Sequence, residues 1–272
     1  MKIRLRNIPE SLDDCSKKQI LQIINLSKKN HITPKHRREL LFLILIKQQD
    51  KPLQKLWVIY QLFLKPWYVK TKLAKFIHHE NYLNLPITII TVDDQKLSYE
   101  IEDATAFIFN RDSLLTQKVK YLKYFWKTPE DYFGNLTFRQ FRNAEEYLYE
   151  ILEEKEETGV ININDNFLKS ICRNTISDKL PLKASPQIRE LLLMFYIGNR
   201  KQLEQEFTFV FPQSKSKTQN PTSPVKMWED VLNAIAKVPQ EFDKVDELNI
   251  RYVLKNLDST LEEIDRINNP KK

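Results

Sequence analysis

Residues 137–159 read TFRQFRNAEEYLYEILEEKEETG, and this stretch decides the fold class. Thr137 followed three residues later by Gln140 is a capping box: the hydroxyl accepts an amide of the first turn while the Gln side chain reaches back to the cap. Phe138, Phe141, Ala144, Leu148, Ile151 and Leu152 then recur at steps of three and four, which places apolar side chains on one helical face. The acidic run from Glu150 to Glu157 ends at Gly159, a residue suited to the left-handed position that closes many helices. The stretch is a long amphipathic helix.

Similar signals extend outward. Downstream, helices are expected over 165–173 and 186–206, the latter containing Leu191 to Ile197. PQSKSKTQNPTSP, residues 212–224, has nothing apolar to bury and reads as a loop or linker. Met227, Trp228, Val231, Leu232 and Ile235 then form a helical stripe, and a last helix is expected over 244–267. Upstream, helices are expected over 16–28, from Thr33-Pro34 to Gln49, over 53–64 and over 69–79. Two regions carry strand character. Lys2 to Ile8 reads as a short strand or an extended lead-in, and Ile87 to Val92 with Lys96 to Ile101 reads as a hairpin around Asp93-Asp94. Leu114, Leu115, Val119, Leu122 and Tyr124 suggest a helical segment within 103–130, strand being the alternative there.

With only 3 glycines in the chain, compact all-β folds are disfavoured. The expected architecture is mainly α with a small β-hairpin or sheet, an α+β chain with bundle-like helices. Its expected organisation is a basic helical region over 1–84, a central α+β region over 85–211, the linker 212–224, and a C-terminal helical pair over 225–272.

Charge is polarised along the chain. Of the net +7, residues 1–80 hold 17 Lys and Arg against 6 Asp and Glu, or +11, which leaves −4 for the rest. A concentrated positive field attracts phosphates and carboxylates, although lysines also simply solvate outer helix faces. The candidate surface for a partner or for nucleic acid comprises Lys35, Arg37, Arg38, Lys65, Trp67, Lys70 and Lys72, where cations and an aromatic ring are interleaved.

The motifs of common chemistries are missing. Gly134, Gly159 and Gly198 are isolated, so neither a P-loop nor a dinucleotide fingerprint forms. His31, His36, His78 and His79 lack the i, i+4 spacing of a helical zinc site. Cys15 and Cys172 have no partner spacing for a metal or a disulfide framework, which fits a reducing compartment. Cys172 sits beside Arg173, which would activate an exposed thiol, but burial as a small apolar residue is the expected role. The basic start MKIRLRNIPE is followed by no apolar signal core, and the apolar run Leu40 to Ile46 is too short to span a bilayer. No catalytic residue, cofactor or metal is nominated, and the expectation is a non-enzymatic protein.

Four phrases carry a family resemblance: Ile8-Pro9-Glu10-Ser11-Leu12-Asp13-Asp14; Leu136 to Phe141; Phe195 to Arg200 with Phe207 to Phe211; and Met227-Trp228-Glu229-Asp230 through Leu254. In this order they resemble a poorly characterised family of phage and prophage proteins from tail gene clusters. The resemblance spans most of the chain. It departs from the family pattern at Leu12, where Trp is expected, and at Asn199, where Cys is expected. It implies an assembly or interaction protein of a phage-like tail, such as a tail assembly chaperone. The implied partners are tape-measure or tube proteins, and the implied location is the bacterial cytoplasm or the virion. It assigns no functional residue. Nucleic-acid binding by the basic N-terminal region is the alternative.

Overall fold

A computed structural model describes residues 2–6, 9–29, 32, 37, 40–41, 44–45, 87–91, 106–109, 113–211, 224–236 and 238–268. The chain is mainly helical with small antiparallel sheets, and it divides into two units, Met1–Arg111 and Asp112–Lys272.

In the first unit, strand β1 (Lys2–Arg6) pairs antiparallel with β2 (Ile87–Thr91), from Lys2 opposite Thr91 to Arg6 opposite Ile87. The strand expected at 87–92 thus forms, and its described neighbour is the N-terminal strand. The other expected hairpin arm, 96–101, lies outside the described residues. This pairing carries the first unit past the expected boundary at residue 84. Helix α1 (Lys17–Ser27) opens on a Ser16–Gln19 capping box. Gln19 is buried, and its amide nitrogen Nε2 donates to the carbonyls of Ile44 and Leu45 at 3.3 and 3.2 Å. The helix expected from Thr33-Pro34 is helical at each of its described positions from Arg37 to Leu45, while 53–64 and 69–79 lie outside the described residues.

The second unit is built on the deciding stretch. Helix α2 (Phe138–Thr158) begins at the Thr137–Gln140 capping box and ends at Gly159, whose φ of 71° is left-handed. Asn164 caps α3 (Asp165–Ile171), and Ser185 followed by Pro186 opens α4 (Pro186–Glu206). Leu191 to Tyr196 are all buried, so this part of α4 lies in the core of the unit. Against α2 pack α3 and the C-terminal helices α5 (Pro224–Ile235), α6 (Phe242–Asp246) and α7 (Ile250–Asn268).

Two sequence expectations are corrected. The single helix expected over 244–267 is broken, because Asn249 sits between α6 and α7, bridges to Thr137 and caps the amide of Arg251 at 2.9 Å. The C-terminal helices are also part of the second unit rather than a separate pair. Trp228 on α5 is 2% exposed and meets the rings of Phe141, Phe211 and Phe138 at 5.1, 5.8 and 6.0 Å. Arg142 on α2 clasps the buried Asp246 of α6, with Nη2 2.8 Å from Oδ2.

Trp228→Ala should therefore lower the stability of the whole second unit by about 3–5 kcal/mol, the usual cost of deleting a buried aromatic. Urea unfolding followed by circular dichroism checks this; an independent C-terminal pair would leave the main transition unmoved. Gly159→Ala should cost about 1 kcal/mol in the same assay, from its left-handed φ alone, since nothing lies within 4 Å of an added Cβ.

Candidate functional site

Residues 118–127 read KVKYLKYFWK. The segment forms a tight hairpin in which β3 (Tyr121–Leu122) pairs with β4 (Trp126–Lys127), and β4 pairs in turn with β5 (Arg173–Asn174). Of the two readings open for 103–130, the helical segment of Leu114 to Tyr124 is corrected and the strand alternative forms at 121–122 and 126–127. Thr128 turns the chain back by donating its amide to the Lys120 carbonyl at 3.2 Å and its hydroxyl to the Val119 carbonyl. Leu122 and Trp126 face inward, while Tyr121, Tyr124 and Phe125 stay 62, 43 and 61% exposed.

The hairpin tip is strained. Tyr124 and Phe125 have φ of 60° and 67°, in the left-handed region where side chains other than Gly and Asn are disfavoured, at about 1–3 kcal/mol each. Side chains from β5 hold them there. Asn174, largely buried, donates Nδ2 to the Tyr124 carbonyl at 2.8 Å, while its Oδ1 accepts the amides of Ile176 and Ser177 at 2.8 and 2.9 Å. Thr175 adds its amide and hydroxyl to the Phe125 carbonyl at 3.1 and 3.3 Å. The Lys183 ammonium lies 5.8 Å from the Tyr124 ring centre, within cation–π range. Ile176, 65% exposed, follows directly in the chain.

A cleft of about 380 Å³ adjoins this clamp, lined by Lys127, Thr128, Asn135, Gln140, Ile171, Arg173, Asn174 and Thr175. It draws on β4, the turn before α2, the first turn of α2 and β5. Lys127 pairs with Glu130 at 2.7 Å, which raises its pKa above the ordinary lysine value and keeps it charged.

A second polar group lies deep between α2 and α4. Glu145 is 4% exposed; Tyr196 donates its hydroxyl to Oε1 at 2.9 Å, and Arg200 Nε reaches both carboxylate oxygens at 2.9 and 2.8 Å. Burial pushes the Glu145 carboxyl above its usual range, against the opposing pull of Arg200 and Tyr196. Arg200 also pairs with Glu204. With both its oxygens bonded and its side chain buried, Glu145 joins two helices.

Of the residues nominated from sequence, Arg37 is half-buried and donates Nη2 to the Lys29 carbonyl at 2.8 Å. Lys35, Arg38, Lys65, Trp67, Lys70 and Lys72, like the four histidines, lie outside the described residues. Cys172 is buried while Arg173 points outward, and burial pushes the thiol up to about 12. No helix among the described residues is long and apolar enough to cross a membrane. The hairpin was missed from sequence because its turn contains no Gly, Asn or Asp. The alternation of Lys with aromatic residues over 118–127 was the available signal.

No protein-family model, curated protein or solved structure matches the chain.

Alkylation at pH 8 should leave Cys172 unmodified in the folded protein and modify it promptly in denaturant, as peptide mapping would show. Fast labelling of the native protein would contradict the buried thiol. Asn174→Ala removes three hydrogen bonds at once and should destabilise the second unit by about 1–3 kcal/mol, with faster amide exchange at Ile176 and Ser177.

Proposed function

We propose that the chain is a non-enzymatic interaction protein that docks a protein partner through the aromatic hairpin at 121–127. One observation carries the reading: Phe125 is 61% exposed at a φ of 67°, with its carbonyl held by Thr175 and the preceding Tyr124 carbonyl held by the buried Asn174. Backbone strain that surrounding structure maintains, for a ring that the protein's own core does not use, is typical of sites kept ready for something else. Aromatic side chains with few rotatable bonds also supply much of the energy at protein interfaces.

A further apolar surface supports an interaction role. Helix α7 buries Ile250, Val253 and Leu254 near its start, then leaves Ile264 and Ile267 47 and 70% exposed on a strongly amphipathic helix. The family resemblance supplies the setting, assembly of a phage-like tail in the host cytoplasm or on the virion, with a tape-measure or tube protein as partner and a chaperone as the form of action.

A second reading, single-stranded nucleic-acid binding, is favoured by the exposed Lys120 and Lys123 of the hairpin segment and by Lys183 beside the Tyr124 ring. Glu130, Asp131 and Asp178 are exposed in the same neighbourhood and dilute that field, which places the protein partner first.

The decisive experiment is co-expression with the neighbouring tape-measure and tube products, followed by pull-down of wild type and Phe125→Gly. Glycine relieves the left-handed strain, so the variant should unfold no earlier than wild type while losing partner capture by about tenfold or more. Equal capture by the variant removes the hairpin from the interface, and no capture by wild type ends the tail reading. If binding is instead to oligonucleotides, retention should fall steeply as salt rises.

A further inference from the structure

The cleft beside the hairpin has a one-sided hydrogen-bonding character. Its acceptors are largely occupied by the protein itself: Asn135 Oδ1 takes the Glu130 amide at 2.7 Å, Gln140 Oε1 takes the Thr137 amide at 3.2 Å, and Asn174 Oδ1 takes two amides of its own turn. The donors of the same side chains are less occupied. The amide nitrogens of Asn135 and Gln140 have no partner among the described residues, and neither does the Arg173 guanidinium, which is exposed at the rim. Lys127 is the second cation on the wall, and its pair with Glu130 is exposed at both ends, so it is weak enough to exchange for another anion. Ile171 is the one purely apolar side chain in the lining.

Donors without acceptors, two cations and a mostly polar wall select a negatively charged ligand that accepts several hydrogen bonds. Guanidinium presents a planar fork that matches two oxygens of a phosphate. The cleft, at about 380 Å³, is larger than a phosphate ion alone and falls at the small end of sites for organic ligands. Gln140 belongs to the first turn of α2, where the helix field adds to the preference for negative charge.

We infer that this cleft binds the phosphate group of a small phosphorylated metabolite of sugar-phosphate size, with Arg173 and Lys127 neutralising the phosphate and Asn135 and Gln140 donating to its oxygens. The inference is independent of the docking role of the hairpin. The two sites share Lys127 at the end of the hairpin, and Asn174 and Thr175, which line the cleft and hold the hairpin tip.

The test uses the full chain and isothermal titration at fixed ionic strength, with glucose 6-phosphate, glucose, inorganic phosphate and a short single-stranded oligonucleotide as probes. The expected result is saturable binding of glucose 6-phosphate, weaker binding of inorganic phosphate and none of glucose. Arg173→Ala should weaken the phosphorylated sugar by more than about tenfold, Arg173→Lys should recover part of the loss, and Lys183→Ala, outside the cleft, should change little. Arg173 is exposed, so these variants should keep the wild-type unfolding midpoint, and that measurement accompanies the titrations. Absence of binding at millimolar probe, equal binding by Arg173→Ala, or a preference for the oligonucleotide that depends on Arg173 would each overturn the small-ligand site.

Discussion

Burial of the Glu145 carboxylate is the constraint around which the second unit is organised. A carboxylate withdrawn from water is costly by several kcal/mol unless its oxygens are bonded and its charge is met. Arg200 and Tyr196 meet both needs, and both stand on α4. The helices α2 and α4 are thereby fixed in rotation as well as distance, since sliding either by one residue would leave the charge unpaired. That setting puts the Tyr196 ring among Phe133, Phe167 and Phe141, with centres 5.2, 5.4 and 6.2 Å away. The aromatic core then extends from Phe141 to Trp228 on α5, so one polar contact positions rings from four separate parts of the chain.

Anchoring of Phe133 in this core explains why the backbone before α2 is left-handed at Tyr132 and Phe133, with φ of 55° and 56°. Asn249 holds that turn by donating Nδ2 to the carbonyls of Phe133 and Gly134 at 3.2 and 3.0 Å. Its placement depends on the break between α6 and α7, which is why the C-terminal helices cannot be read apart from the middle of the chain. Local strain at Phe133 is matched by burial of the whole ring, whereas the equivalent strain at Phe125 has no such return within the protein.

Features written in short-range chemistry were legible in the sequence. The Thr137 capping box and the Gly159 terminus depend on residues within a turn of one another, and each appears where its residues predict; the helices expected over 16–28 and 186–206 also form, on caps at Ser16 and Ser185. Long-range pairing was not legible. Glu145 looked like one member of an acidic helix, and nothing nearby announced Arg200 on the other side of the core. The hairpin at 121–127 lacked turn residues because its conformation is imposed by Asn174, distant in sequence, rather than chosen by Tyr124 and Phe125. Apolar residues at Leu115, Val119 and Leu122 happened to imitate a helical period, and strand pairing overrode it.

The two left-handed aromatic turns share one construction. In each, an asparagine spends its side-chain oxygen on its own local backbone and its amide nitrogen on the carbonyl of a distant aromatic residue, Asn174 for Tyr124 and Asn249 for Phe133. Both turns are therefore exposed to the same chemical ageing. Hydrolysis of either side-chain amide to a carboxylate would exchange the donor for an acceptor that repels the carbonyl it once held, releasing the turn without breaking the chain. Loss of one side-chain amide on a neighbouring strand would therefore remove a clamp from the exposed aromatic surface.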